Sequence, residues 1–313
     1  MNDEYSSFTF ILDSVTISAL LPYEVIPGHW VRKAEPNEVE RIKKEIETHG
    51  CRFPYYELSP DGAPTPGGGL TYPHLPEAEW RYYVISFRGS NDKIRDIEYS
   101  ASLLEDDLTL GLTFIRVPGL SAGGVMSQMA QVGAFFADHV GMPTVKCIGN
   151  SELAQIGGNY QLITSFDKEH YPNVSRAVSD FFETNMITNR SLVKVLSYFA
   201  IIESLLTHPP DPADTIGSLT HQIATKMSLL TKRFERTVSF SSFFPKLADP
   251  EKAWKKLYGY RGTIAHGGRP DFGGKFLPLV NTDAVRLFLK KNVKLLLLYA
   301  LKEPEFLADL QKC

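Results

Sequence analysis

Residues Ser191 to Leu206 read SLVKVLSYFAIIESLL, a run that is apolar on nearly every side of a helix. Such a helix has no face to offer water, so neighbouring elements must cover it all round. The flanking chain supplies them. Asn173 to Met186 reads as a helix. Thr215 to Phe234 places Ile216, Leu219, Ile223, Met227 and Leu230 at spacings of three and four. Asp249 to His266 has Asp249 as its cap, Pro250 in its first turn and Gly267-Gly268 as its stop. Asp283 to Leu301 makes a fifth helix, and His208-Pro209-Pro210 breaks the central one. The expectation for residues 170–313 is an all-α bundle of about five helices.

Residues 1–165 have a different texture, and a mixed α/β domain is expected there. Phe8 to Leu21 is rich in β-branched and aromatic residues, the mark of a strand or strand pair. Pro36 to His49 is helical by the spacing of Val39, Ile42 and Ile46, with Asn37 or Pro36 at its start and Gly50 as its stop. Pro60 to Pro76, with its triple glycine Gly67 to Gly69, reads as a loop. Arg81 to Arg88 reads as a strand, Lys93 to Leu110 as a helix, and Leu112 to Val117 as a strand. The whole chain is therefore expected to be α+β, with no internal repeats.

The two parts also differ in charge. Residues 1–170 hold 13 Lys+Arg against 23 Asp+Glu, a balance of −10; the remaining residues hold 20 against 13, a balance of +7; together they give the net −3. A basic half fits a phosphate-bearing partner. Hydrophobic residues at 43% and charged residues at 22% exclude a disordered chain or a coiled-coil rod. The apolar stretch Leu295 to Leu301 is too short to span a bilayer, and the acidic start Met1-Asn2-Asp3-Glu4 is unlike a secretory signal. A cytoplasmic location away from membranes is expected. Cys51, Cys147 and Cys313 form no CxxC pair, and the eight histidines form no HxxxH or HExxH pattern. No metal site or cofactor is expected. The faint nucleotidyltransferase-like start at Gly89-Ser90, with Asp92 and Asp96, has the wrong strand context and spacing.

The chemistry concentrates in Trp254 to Arg269, WKKLYGYRGTIAHGGR. Arg261 carries a permanent charge and a fork of donors suited to phosphate oxygens. His266 exchanges protons near neutral pH and sits where a helix C-terminus favours its cationic form. Five residues apart on an ideal helix, the two are offset by about 140°, so spacing alone does not place them on one face.

Their context resembles the HEPN superfamily, and in particular the Apea-like HEPN group of bacterial phage-defence proteins. The resemblance covers roughly residues 173–302. It rests on Leu192 to Leu206 with Glu203 before Leu205-Leu206, and on YGYRGTIAHGG, Tyr258 to Gly268, at the end of the penultimate helix. It implies a metal-independent endoribonuclease acting in phage defence or as a stress toxin, in which the RNA 2′-hydroxyl is the nucleophile. Arg261 would hold the scissile phosphate and His266 would act as general acid or base. It also implies a homodimer that joins two Arg–His pairs in one cleft. Glu203 either orients Arg261 or His266 or emerges solvated at the helix edge; its sequence position leaves both open.

Lys255, Lys256, Tyr258, Tyr260 and Arg269 are candidate RNA-binding residues, the aromatics by stacking on unpaired bases and the basic groups by screening phosphates. Many active members of the family carry Asn, Asp or His after the arginine, whereas here that position is Gly262. This departure supports an alternative: a non-catalytic dimerisation or binding module. In either case the N-terminal domain would recognise a phage or cellular trigger.

Overall fold

The computed structural model describes residues 7–48, 55–88, 91–115, 124–126, 129–139, 144–208 and 218–312. Met1 to Glu4, the helix stop at Gly50, Cys51, Gly89-Ser90, the strand end at Arg116-Val117, the Pro209-Pro210 breaker, the helix start at Thr215-Ile216 and Cys313 lie outside the described residues. The chain divides into two units, Met1–Thr164 and Ser165–Cys313. The first is built around a sheet and the second is helical, which places the chain in the α+β class.

In the first unit the described strands are β1 (Ser7–Ile11), β2 (Val15–Ile17), β3 (Tyr23–Ile26), β4 (His29–Lys33), β5 (Ala63–Pro64), β6 (Leu70–Thr71), β7 (Tyr83–Phe87), β8 (Leu110–Ile115), β9 (Gly124–Met126) and β10 (Lys146–Ile148). The helices are α1 (Pro36–Thr48), α2 (Ile94–Ser102), α3 (Met129–Asp138) and α4 (Asn150–Ser165). Six strands form one antiparallel sheet in the order β3-β4-β7-β1-β8-β9. The sheet is buried on both faces, so its central strands are apolar on both sides. Tyr83, Ile85 and Phe87 of β7 pack with Ile94 and Ile97 of α2 and Leu153 and Ile156 of α4. Val84, Phe8 and Phe10 point the other way, toward Val39, Ile42 and Ile46 of α1 and Val132, Phe135 and Phe136 of α3.

Two expectations need correction. Pro60–Pro76 is not only loop, because β5 and β6 pair as a two-residue hairpin tied by the Thr65 hydroxyl to Gly69. Strands that short have no periodicity to read. The helix expected over Lys93–Leu110 ends at Ser102. There Leu104 N–H bonds Ala101 O and Leu108 N–H also bonds Ala101 O, folding the chain back. The buried Asp13 carboxylate then takes Thr109 N–H at 2.6 Å, and Leu110 enters β8. The bonds that close the helix are thus local, and the Asp13 contact fixes the following entry to β8.

In the second unit the described helices are α5 (Pro172–Glu183), α6 (Leu192–Leu206), α7 (Leu219–Leu230), the single turn α8 (Phe240–Phe243), α9 (Pro250–Ala265), α10 (Thr282–Lys302) and α11 (Pro304–Lys312). The count exceeds the five expected by α8 and α11. Helix α6 packs against α5, α7, α9, α10 and α11, but it is not covered all round as its apolarity suggests: Val193 is 56% exposed, and Ala200 and Ser204 are exposed along the same stripe. Its Ser191 cap accepts from Val193 N–H, and its buried Lys194 donates to Ile187 O at 2.8 Å. An aromatic cluster of Phe240, Phe244, Trp254 and Phe288 fills the space between α8, α9 and α10. Among the described residues no helix is long and apolar enough to cross a membrane.

Two neighbouring glycines of α4 give opposite expectations. A Cβ at Gly157 would stand 2.6 Å from Val25 O of β3, whereas one at Gly158 meets nothing within 4 Å. Gly157→Ala should destabilise the protein by about 1–3 kcal/mol through overpacking. Gly158→Ala should stabilise it by up to about 1 kcal/mol through helix propensity. Thermal unfolding of the two variants checks both signs.

The buried Glu98 of α2 gives a pH expectation. Burial, partly offset by the charge of Arg95, pushes its carboxyl up to about 7. The folded state thus favours the protonated acid, so stability is full below the unfolded carboxylate range near 4.5 and falls as pH rises toward 7. Glu98→Gln should stabilise the protein more at pH 8 than at pH 5, as read by denaturant midpoints at the two pH values.

Candidate functional site

The local sequence of α9 fixes where its polar side chains emerge. Asp249 caps it, accepting from Glu251 N–H at 3.0 Å and from Lys252 N–H at 3.3 Å. Ala253, Trp254, Leu257, Tyr260 and Ile264 form its buried face. At the other end Gly267, at φ +76°, lets the chain reverse. Its N–H bonds Ile264 O and Gly268 N–H bonds Thr263 O, the paired bonds of a Schellman stop. Tyr258 and Arg261 lie one turn apart at the edge of the buried face, and both are half-buried.

Helix α6 presents a matching pair, Phe199 and Glu203, also one turn apart. Arg261 Nη2 donates to Glu203 Oε2 at 3.1 Å, and Arg261 Nε stands 3.0 Å from Glu203 Oε1. The second approach is ionic contact without an aligned hydrogen bond, since Oε1 accepts none. The side chains of the two residues are 31% and 20% exposed, so the pair is partly shielded and stronger than a fully solvated one. The Tyr258 ring lies under the guanidinium, 5.6 Å from its carbon, and meets the buried Phe199 edge-on at 6.1 Å. Burial pushes the Tyr258 phenol up to about 12; the negative charge of Glu203 and the reach of the hydroxyl toward that carboxylate add to this, against the opposing pull of Arg261. Of the two positions open to Glu203, facing Arg261 is the one it takes.

Among the described residues Nη1 of Arg261 has no partner. The donors on the edge of the guanidinium that Glu203 does not occupy are therefore left open. His266 is the C-cap residue of α9 and is exposed. The structure brings Glu203, Arg261 and Tyr258 together, but it joins the His266 ring to none of them by a hydrogen bond. Gly262, between Arg261 and His266, has open space where a Cβ would stand.

The expected RNA-binding residues separate. Lys255 is exposed and pairs with Glu251 at 2.6 Å. Lys256 donates to Lys275 O at 3.2 Å. Arg269 is exposed just past the Schellman stop. Tyr260 requires correction as a base-stacking residue, because it is fully buried. Its ring packs on Phe272 and edge-on to Phe276, and its hydroxyl meets Thr282 Oγ1 at 3.1 Å. The sequence signal was present: Tyr260 continues the Trp254, Leu257, Ile264 spacing. Phe199 was missed as part of the site, and its signal was its place four residues before Glu203.

Among the described residues no three His, Cys, Asp or Glu side chains group so as to hold a metal ion. Compared with protein-family models, with curated proteins and with solved structures, the chain gives no match.

Proposed function

We propose that the second unit is a metal-independent endoribonuclease of the HEPN type, active as a homodimer in the cytoplasm in phage defence or a toxin-like stress response. The observation that carries this reading is the Arg261 guanidinium, braced on one edge by Glu203 and open on the other, one turn and a half before an exposed histidine at a helix end. That arrangement suits a phosphodiester whose own 2′-hydroxyl is the nucleophile. Arg261 binds the scissile phosphate and stabilises the charge that builds on its oxygens. A histidine removes the 2′-proton as the 2′-oxygen attacks phosphorus. The bond to the 5′-oxygen breaks and that oxygen takes a proton. The products are a 2′,3′-cyclic phosphate and a 5′-hydroxyl. In a two-fold dimer the two His266 rings supply base and acid. The charges of Lys255, Lys256 and Arg269 draw the RNA backbone toward the cleft. The acidic first unit senses the trigger.

A second reading is favoured by Gly262 and by the absence of a hydrogen bond between His266 and the Arg261 cluster: a non-catalytic module that binds or dimerises while the first unit recognises a partner.

The deciding experiment incubates the protein with end-labelled RNA in EDTA and tests fragment ends for 2′,3′-cyclic phosphate. Cleavage should survive EDTA. Arg261→Ala should lower it by about 10²–10³, and His266→Ala by about 10²–10⁴. Cleavage abolished by EDTA, or untouched by both substitutions, overturns the nuclease reading. Gly262→Asn is expected to fold normally, given the space at its Cβ, and to raise the cleavage rate severalfold. An unchanged rate in the same assay would show that the missing polar group does not limit the site.

A further inference from the structure

We propose that Tyr258 is a positioning residue, whose ring is the floor on which the Arg261–Glu203 pair is held, rather than a platform for RNA bases. The inference rests on the nuclease reading only for its consequence on cleavage; the geometry stands by itself.

Two rungs link α6 to α9. The inner rung is Phe199 against Tyr258 and the outer is Glu203 against Arg261. Phe199 is fully buried and meets the tyrosine ring at an interplanar angle of 78°, so it holds that ring in place. The same ring carries the guanidinium at 5.6 Å, a cation–π contact. A half-buried ring that packs on a core phenylalanine and carries the guanidinium is engaged within the protein rather than set out as a stacking platform. Removing it would leave Arg261 with the carboxylate alone. An arginine side chain has several rotatable bonds, and a single ion pair of which only one hydrogen bond is aligned does not hold all of them. The floor thus fixes the direction in which the open Nη1 edge faces.

The effect is read on the guanidinium itself, in full-length protein labelled with ¹⁵N-arginine and without RNA. The side-chain signal of Arg261, assigned by its loss in Arg261→Lys, is expected to be slow to exchange with water. Tyr258→Leu, which keeps an apolar filler against Phe199, should bring it into fast exchange. Tyr258→Phe, which restores the ring, should restore the slow signal. In the cleavage assay Tyr258→Leu should lower the rate at saturating RNA on the order of 10- to 100-fold, as misdirected catalytic groups do, with KM little changed, and Tyr258→Phe should recover most of that loss. An Arg261 signal unmoved in Tyr258→Leu, with KM raised instead, overturns the proposal and makes Tyr258 a base-stacking residue. If the signal follows the ring as expected but no variant or parent cleaves RNA, the nuclease reading falls and the positioning role stands. Glu203→Gln provides a second route: it should speed exchange of the same signal with Tyr258 intact, and a signal that stays slow there would also count against a jointly held guanidinium.

Discussion

An acidic side chain set in the largely apolar helix α6 is the constraint from which the second unit is best understood. Glu203 interrupts the apolar surface of α6, and with its side chain only 20% exposed, leaving it uncompensated would carry part of the cost of desolvating a charge. Its partner is Arg261, and the pair ties α9 to α6 near the C-terminal end of each helix. The helix that brings the arginine must also bring Tyr258, and the helix that brings the glutamate must bring Phe199. Packing and chemistry are therefore the same contact here. By comparison, exposed pairs such as Lys255–Glu251 on the same helix are worth about 0.3–0.5 kcal/mol and constrain little.

The ends of α9 were legible in the sequence because their causes are local. Asp249, Pro250 and the two glycines after His266 act within a turn of where they stand, and the structure uses each of them. The apolarity of α6 was equally plain, but it concealed the open stripe of Val193, Ala200 and Ser204, because these small or apolar residues do not mark a solvent-facing side. What could not be read was set from a distance. The entry to β8 that follows α2 is held by Asp13 receiving Thr109 N–H. Strands β3 and β4 carry mixed sequences, Tyr-Glu-Val-Ile and His-Trp-Val-Arg-Lys, and become strands by pairing with each other and with β7.

The candidate site divides in the same way. Arg261, His266 and Glu203 stand out as residue types, and the meeting of Arg261 with Glu203 follows from which face of α6 meets α9. Tyr258 and Tyr260 are the instructive pair. They are two residues apart, a helical rotation of about 200°, so they face nearly opposite directions. One enters the core behind Thr282 and Phe276, and the other lies under the guanidinium. No residue-type argument separates two tyrosines; only the phase of the helix does, and Trp254, Leu257 and Ile264 set that phase.

The Schellman stop after Ala265 has a kinematic consequence. His266 is anchored at its backbone by the bond from its N–H to Gly262 O and by the tight reversal that follows it. Its imidazole is thus a ring on two torsions turning about a fixed pivot. The volume it sweeps is a small shell around one point at the end of α9, and ordering it costs only the entropy of those two bonds. Whatever this histidine touches must be carried to it.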